Sequence, residues 1–225
     1  MSAAAGDRAA RGGPLLVACA LRIEQVALRS AGRGSVRGTD RAQAGAHTLL
    51  RTGMGPRAAE RALRRALDRP GTERTAVLAT GFCAGLVPGM SPGDLVVAEE
   101  TRDPRGTVPC TGTALLAEAL ARAVPGRTVH TGPLTGSDHV VRGQERAHLR
   151  ATGAVAVDME SAVTLWTAVR GGDRPVAAVR VIVDAPEHEL VRIGTVRGGI
   201  SAFRVLRAVL PAFYEWHRSS LLPRR

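Results

Sequence analysis

Two acidic residues flank a methionine at the end of a strongly apolar segment, AVAVDMESA, which spans residues 154–162. The acids are Asp158 and Glu160, with Met159 between them. In an extended chain, residues two apart point to the same side, so both carboxylates face one way unless a following turn rotates them apart. Carboxylates in apolar surroundings need partners. The pair is therefore a candidate functional site, and a helix N-cap is the alternative role for one of the acids.

A second apolar segment, PVAAVRVIVD, spans residues 175–184 and carries two charges. Arg180 lies inside it and Asp184 ends it. A charge in such a segment is costly unless it is paired or takes part in chemistry. Both residues are candidates for a site, with a buried ion pair as the alternative for Arg180.

A glycine-rich segment, TGFCAGLVPGMSPGDLVVAEE, spans residues 80–100. Its pattern predicts a strand, a turn and a second strand. Gly81 and Gly85 would let a ligand approach the main chain, where free N–H groups bind a phosphate, a ribose hydroxyl or water. A tight structural turn is the alternative interpretation.

Short apolar runs alternate with amphipathic runs along the chain, which predicts buried strands alternating with helices. We expect a single α/β domain over residues 14–225, with a mixed twisted central β-sheet flanked by helices, after a disordered tail at 1–13. The predicted strands are 15–21, 47–53, 75–82, 94–99, 154–160 and 175–184. The predicted helices are 56–67, 112–124, 143–152 and 160–170.

Composition argues against several other classes of protein. The 225 residues carry a formal net charge of +11, but the 31 basic residues are all arginine and are scattered, so nucleic-acid binding is not expected. Cys19, Cys83 and Cys110 are too widely spaced for a zinc site or a disulfide framework. No segment has the roughly 20 apolar residues that span a bilayer. We expect a cytoplasmic protein without a metal.

The three segments, in this order, resemble the family of purine nucleoside phosphorylases, methylthioadenosine/S-adenosylhomocysteine nucleosidases and futalosine hydrolases. The resemblance covers roughly residues 15–216. The nucleosidase branch has a glycine-rich loop, which TGFCAG followed by PGD resembles. Its EMEA-type segment is similar to DMES, and its RxxSD-like strand end is similar to RVIVD. The resemblance implies that the protein cleaves a purine N-glycosidic bond without a cofactor, and that inorganic phosphate is a candidate co-substrate. It also implies that the protein forms a homo-oligomer.

The resemblance also implies roles for single residues. Asp184 is similar to the acid that hydrogen-bonds or protonates purine N7, and Glu160 to the residue that holds the ribose hydroxyls. Met159 is similar to the side chain that packs on the sugar. Glu24 corresponds to the glutamate that activates the attacking water, with a helix-surface glutamate as the alternative, and Arg180 to an arginine that orients the nucleophile.

Two segments are implied to bind the substrate. In GPLTGSDHVVRG, residues 132–143, the stretch around Asp138 is similar to the one whose backbone reads the purine edge, with loop capping as the alternative. Phe82 replaces a serine common in relatives, which leaves water or phosphate open as the nucleophile. The implied substrate-binding residues of the two segments are Gly81, Phe82, Cys83, Ala84, Gly85, Asp138, Val140 and Val141.

Three segments are most similar to the branch of the family that is associated with hopanoid biosynthesis: TGMGPRAAERA, the glycine-rich segment and VDMESA. This similarity implies adenosylhopane as the substrate. A methylthioadenosine/S-adenosylhomocysteine nucleosidase and a non-catalytic nucleoside- or lipid-binding protein are the alternatives. The aromatic and basic C-terminal segment could contact an anionic membrane surface at the inner face of the membrane. We favour the alternative, a terminal helix interrupted near Pro211 that packs Leu206, Val209 and Phe213 against the sheet.

Overall fold

The computed structural model describes residues 13–34, 47–186 and 194–220. The predicted tail at 1–13 therefore lies, apart from Gly13, outside the described residues. The strands are β1 (Leu15–Cys19), β2 (His47–Arg51), β3 (Ala76–Gly85), β4 (Leu95–Asp103), β5 (Gly106–Pro109), β6 (Val129–Gly136), β7 (Ala156–Asp158) and β8 (Val176–Asp184). The helices are α1 (Arg22–Gly34), α2 (Pro56–Leu67), α3 (Thr113–Ala123), α4 (Gln144–Ala151), α5 (Ser161–Arg170), α6 (Gly194–Ala208) and α7 (Leu210–Ser220).

The strands form one mixed sheet whose middle closes on itself. Along the sheet the order is β2, β1, β3, β7, β6, β4, β5, and β8 pairs with both β3 and β4. The strands β3, β8, β4, β6 and β7 thus make a closed ring, in which β3 and β8 run parallel while β4 runs antiparallel to β8. The predicted α/β domain with a mixed central sheet is confirmed.

Helices cover both faces of the sheet, so strands such as β1 are apolar on both sides. Leu15 and Val17 belong to the apolar cluster that contains residues of α1, α3, α6 and α7. Leu16 and Ala18, on the opposite face, belong to the cluster that contains residues of α2 and α5. This double burial explains the continuous apolar runs, because neither face of these strands meets water.

The glycine-rich segment differs from its prediction. Residues 81–85 continue β3 rather than forming a turn, and the chain turns only between Leu86 and Asp94. Their backbone groups pair with neighbouring strands: Gly81 stands opposite Arg180 of β8 in the register, and Gly85 opposite Ala156 of β7. A nest of free N–H groups for a phosphate, which the turn would have supplied, is therefore not formed at Gly81 and Gly85.

The C-terminal segment forms the interrupted helix pair that we favoured. The chain leaves the helical pattern at Val209, and α7 begins at Leu210, directly before Pro211. Val209, Phe213 and Trp216 are fully buried in the apolar core, and the Trp216 Nε1–H donates to the Thr111 carbonyl at 2.6 Å. Phe213 and Trp216 are thus not available to a membrane surface. None of the described helices is long and apolar enough to cross a bilayer.

Candidate active site

A cavity of about 240 Å³ opens where β1, β3, β7 and β8 end, beside the loop that follows β6. Most of the residues that the sequence singled out lie in its wall. They are Glu24, Phe82, Cys83, Ala84, Val140, Val141, Met159, Glu160 and Asp184. Arg180, Gly81, Gly85 and Asp138 do not line it.

Glu24 lies in the first turn of α1 and is only 2% exposed. Its Oε2 accepts hydrogen bonds from the backbone N–H groups of Ala20 and Leu21, both at 2.8 Å. Its Oε1 accepts a third from the N–H of Phe82 at 2.9 Å. Three N–H donors hold the carboxylate in place, and its oxygens have lone pairs left for a further donor. Glu24 is therefore placed to accept a hydrogen bond from a molecule bound in the cavity.

Arg180 lies behind the cavity wall as part of a buried ion pair. Its Nε is 2.6 Å from Oδ2 of Asp158 and donates to Oγ of Ser161 at 2.8 Å. Burial opposes the positive charge, yet the carboxylates of Asp158, Glu160 and Glu24 raise the pKa of this guanidinium. The ion pair is the alternative that the sequence allowed. The orienting role of Arg180 toward a nucleophile stays a prediction, since its side chain does not reach the wall.

Gly81 leaves space for the side chains of Glu24 and Arg180 beside β3. A Cβ atom at this position would lie 2.5 Å from Oε1 of Glu24 and 2.6 Å from Nη1 of Arg180. The residue also has φ +139°, which L-residues rarely adopt. The absence of a Cβ atom at Gly81 therefore leaves room for both side chains against β3, and Gly81 does not itself line the cavity.

Asp158 and Glu160 have different partners. Asp158 accepts from the backbone N–H of Ser161, the first residue of α5, at 3.2 Å, whereas the N-cap position is Glu160, whose side chain makes no capping hydrogen bond. Glu160 instead accepts from the N–H of Gly55 at 2.8 Å, across the site. Burial raises the pKa of Glu160, although the charge of Arg180 opposes this. Glu160 is thus the acid of the pair that is free to bind a ligand.

Asp184 has a partner that sequence reasoning missed, Arg146 of α4. The guanidinium makes two contacts with the carboxylate, through Nη2 to Oδ2 and through Nη1 to Oδ1 at 3.4 Å. Its Nε donates to the carbonyl of Val141 at 3.2 Å. Both side chains are buried and both line the cavity. Nothing in the sequence distinguishes Arg146 from the other arginines, because it lies on a short polar helix.

Asp138 belongs to the loop and not to the cavity. Its carboxylate is exposed and lies 2.7 Å from Nδ1 of His139, a local contact that matches the loop-capping alternative. This hydrogen bond lowers the pKa of Asp138 and raises that of His139. Asp138 borders a second cavity of about 440 Å³, which shares Met159 with the first.

The remaining predicted residues of β3 have separate roles. Gly85 allows close packing, because a Cβ there would lie 2.9 Å from Sδ of Met90. The Cys83 thiol lines the cavity, but burial raises its pKa, so it remains protonated and is not a nucleophile. Phe82 contributes its backbone N–H to Glu24 and its ring to the wall.

The charges of the wall are mainly negative. Among the described residues that line the cavity, the carboxylates are Glu24, Asp158, Glu160 and Asp184, and the one guanidinium is Arg146. A cavity of this kind suits a neutral or cationic ligand with hydroxyl groups, because carboxylates accept hydrogen bonds and stabilise positive charge.

Comparison with known proteins gives one family. Residues 24–211 match the family model described as the phosphorylase superfamily. The 5'-methylthioadenosine/S-adenosylhomocysteine nucleosidase of Neisseria meningitidis is 20% identical with a TM-score of 0.70, covering 92% of this chain and 99% of the nucleosidase. Futalosine hydrolase of Helicobacter pylori is 15% identical with a TM-score of 0.70, covering 89% and 96%. No curated protein sequence matches this chain significantly.

Proposed function

Because this chain belongs to the phosphorylase superfamily and is a glycosidic bond-cleaving enzyme, we propose that it releases adenine from a 5'-substituted adenosine. The observation that carries this proposal is the placement of Glu24, Glu160 and Asp184 around one cavity. In this proposal Glu24 acts on the nucleophile, Glu160 holds the sugar and Asp184 binds the leaving base.

Water suits this cavity better than phosphate as the nucleophile. A phosphate ion would have to approach Glu24, with three further carboxylates in the described part of the wall. Like charges this close repel strongly in a partly buried site. Arg180 is paired with Asp158 through Nε, and its side chain does not line the cavity. Water bound to Glu24 can instead lose its proton to the carboxylate while its oxygen bonds to the anomeric carbon.

The sugar lies between Glu24 and Glu160 in this arrangement. Glu160 is tied to Gly55, and Met159 beside it lines the same wall. A carboxylate held in place accepts hydrogen bonds from the ribose hydroxyls, and its charge stabilises the oxocarbenium-like sugar that forms as the base departs. The base then extends toward Asp184, the carboxylate at the end of β8.

The surroundings of the cavity favour an apolar 5' substituent. At about 240 Å³ the cavity is below the roughly 300–1,000 Å³ typical of sites for drug-sized ligands, so it cannot enclose a nucleoside together with a pentacyclic hydrocarbon. Met54 and Val140 line it and are 67% and 61% exposed. Ile23 and Val26, the neighbours of Glu24 in α1, are also exposed. A hydrocarbon leaving the cavity would cover such side chains, which supports adenosylhopane as the substrate.

The substrate is tested by offering adenosylhopane and methylthioadenosine side by side and measuring adenine release by chromatography. We expect a higher kcat/KM for adenosylhopane. Preference for methylthioadenosine would favour a methylthioadenosine/S-adenosylhomocysteine nucleosidase. Tight binding of both compounds without adenine release would favour the non-catalytic binding protein.

Met54→Ser tests the contact with the hydrocarbon. Burying apolar area against Met54 contributes about 25 cal/mol per Å², so its loss should raise KM for adenosylhopane roughly three- to tenfold. Turnover of a small nucleoside such as methylthioadenosine on the same variant should change less than twofold and serves as the control. Equal changes for both substrates would show that Met54 does not contact the 5' substituent.

Glu160→Gln tests the sugar contact through the pH dependence of kcat/KM. The carboxylate must be charged to act, and its raised pKa means that it takes up a proton at a higher pH than an ordinary glutamate. Activity of the unmodified protein should therefore fall on acidification beginning above the usual range of glutamate. The variant should lose roughly ten- to hundredfold in kcat/KM, the effect of one charged hydrogen bond. Its acidic limb should move to lower pH, and an unmoved limb would contradict this role for Glu160.

A further inference from the structure

Four large apolar side chains are exposed in the described part of the chain, and all four lie at or beside the mouth of the cavity. Met54 and Val140 line the cavity. Ile23 and Val26 belong to α1, whose first turn also supplies Glu24 to the cavity wall. Single exposed apolar residues are ordinary on protein surfaces, whereas a group of them around one opening marks a contact surface.

The exposed face of α1 combines apolar and basic side chains. Arg22, Val26 and Arg29 follow one another at a spacing of three or four residues, so they share one side of the helix. Ile23 lies three residues before Val26 and is exposed as well. The one acidic residue in the sequence of α1 is Glu24, which is buried. The exposed face of α1 is therefore apolar and positively charged.

Further arginines extend the positive charge around the same end of the sheet. Arg51 ends β2 and stands opposite Cys19, the last residue of β1. Burial raises the pKa of Cys19, and the charges of Arg51 and Arg29 oppose this rise, so both arginines lie near the end of β1. Arg57 lies in the first turn of α2 and borders the second cavity. Arg142 is exposed in the loop after β6.

The rim of the cavity is thus positively charged, in contrast to its mainly negative wall. Two acids of the segment after β6 lie near the rim, and both contact His139: Asp138 at 2.7 Å and Glu145 at 3.0 Å. We call the exposed apolar side chains and the arginines around them the rim surface, which consists of Ile23, Val26, Met54, Val140, Arg22, Arg29, Arg51, Arg57 and Arg142.

We propose that the rim surface binds an anionic lipid bilayer, with the mouth of the cavity facing the membrane. The apolar side chains then lie at the boundary between head groups and acyl chains, and the arginines contact the lipid phosphates. Both signals are needed, because a few partly exposed side chains bury little apolar area by themselves. The inference rests on the proposed function in one respect: an adenosine with a hydrocarbon 5' substituent resides in a bilayer and would enter the cavity from it.

A second copy of this chain is an alternative occupant of the rim surface. In a two-fold dimer the same patch lies on both sides of the interface, so the arginines of one copy would face those of the other. Charged residues are depleted from the core of protein interfaces, and like charges in contact are unfavourable. An anionic bilayer instead neutralises the arginines and accepts the apolar side chains, which favours the bilayer.

A nucleic acid is the other polyanion that the arginines would attract. Single-stranded nucleic acids bind through cations together with aromatic rings on which the bases stack. The rim surface includes no aromatic side chain among its described residues. Its exposed side chains are aliphatic or thioether groups, which suit acyl chains better than bases.

The test measures partitioning of the purified full chain onto vesicles by co-sedimentation. The vesicles contain phosphatidylcholine alone or an equal mixture of phosphatidylcholine and phosphatidylglycerol. We expect at least roughly tenfold stronger binding to the mixed vesicles, and weaker binding as salt rises, because salt screens the arginines. The assay contains no substrate, so its outcome does not depend on whether adenosylhopane is cleaved.

Two double variants separate the apolar from the electrostatic contribution. Ile23→Gln with Val26→Gln keeps every charge and should lower partitioning onto mixed vesicles roughly tenfold, because it removes apolar area from the contact. Arg22→Gln with Arg29→Gln should lower it roughly ten- to thirtyfold, since each cation near an anionic bilayer contributes about a fivefold gain. All four positions are exposed, so both variants should fold like the unmodified protein by circular dichroism.

Arg69→Gln with Arg170→Gln is the matched control, because it removes the same charge at a distance from the rim surface. The helices α2 and α5 begin beside the cavity; Arg69 follows the far end of α2, and Arg170 ends α5. Both arginines are exposed. A chain with a net charge of +11 is attracted to any anionic surface, and this control measures that general attraction. It should change partitioning by roughly twofold at most.

Several results would overturn the proposal. One is that the mixed vesicles do not bind the protein, and another is that the control loses as much binding as Arg22→Gln with Arg29→Gln. Full vesicle binding by Ile23→Gln with Val26→Gln would show that these side chains do not enter the bilayer. If that variant also dissociates a dimer in analytical ultracentrifugation, the rim surface joins two copies. Adenine release from detergent-dispersed adenosylhopane without any vesicle binding would overturn this proposal and leave the proposed function intact.

Discussion

Replacing Asp184 with asparagine is expected to reduce kcat/KM for adenine release at least roughly a hundredfold. The substitution removes a charge from a buried pair, which costs about 2–5 kcal/mol, and leaves Arg146 buried without its counter-ion. It also replaces a carboxylate, which only accepts hydrogen bonds when ionised, by an amide that can present either a donor or an acceptor. Steady-state kinetics at saturating and limiting substrate would measure the loss.

Asp173→Asn is the matched control for this experiment, because Asp173 is exposed in the turn before β8 and does not line the cavity. It should retain activity within twofold. Full turnover in the Asp184→Asn variant would show that the carboxylate at the end of β8 has no part in the reaction, and the assignment of the base to this end of the cavity would be wrong.

Glu24→Gln is expected to lower kcat roughly 10²- to 10⁴-fold, the usual contribution of a positioned general base. Glutamine retains one oxygen, which can accept either from the N–H groups of Ala20 and Leu21 or from that of Phe82, and its amide cannot take a proton from water. Adenine should bind the variant with nearly unchanged affinity, since Asp184 remains. The loss should therefore be seen in kcat and not in binding of the base.

Glu118→Gln provides the control, since Glu118 is exposed on α3 and lies outside the cavity wall. A Glu24→Gln variant with unchanged kcat would mean that the buried glutamate only accepts hydrogen bonds from the main chain around the start of α1. A variant that loses kcat and adenine binding together would indicate a disturbed site instead of a lost base.

Three of the four acids of the site were predictable because each lies at or just after the end of an apolar strand. Asp158, Glu160 and Asp184 stand at the ends of β7 and β8, where a charge without a partner would be costly. The alternation of apolar and amphipathic runs similarly predicted α2 with its observed bounds and α3, α4 and α5 to within one residue at each end, whereas α1 and α6 were not predicted. These signals are local, so a single sequence contains them.

The contacts across the chain were not predictable in this way. The pairing of Arg180 with Asp158 depends on the register of β8 against β3 and on the place where β7 joins the ring. Arg146 reaches Asp184 from a polar helix 38 residues earlier, and no periodicity marks it. Strand β6, VHTGPLTG, was missed because its two glycines and its proline weaken the strand signal.

Gly81 shows how far a motif can be understood without the fold. The glycine suggested close approach of a ligand to the main chain, whereas in the structure the side chains of Glu24 and Arg180 each lie close to the main chain at this position. Both explanations require a residue without a Cβ atom, and only the three-dimensional arrangement decides between them. The same limit applies to Gly85, which makes room for Met90.

The most direct test is adenine release from adenosylhopane by the purified protein, followed by chromatography in phosphate-free buffer and again with inorganic phosphate. We expect adenine to appear at the same rate in both, with a free hydroxyl at C1' of the ribosyl product by mass spectrometry. Release only with phosphate, with a 1-phosphate product, would contradict water as the nucleophile at Glu24. Absence of adenine under both conditions, with methylthioadenosine also left intact, would contradict the proposal that this cavity cleaves the N-glycosidic bond of an adenosine.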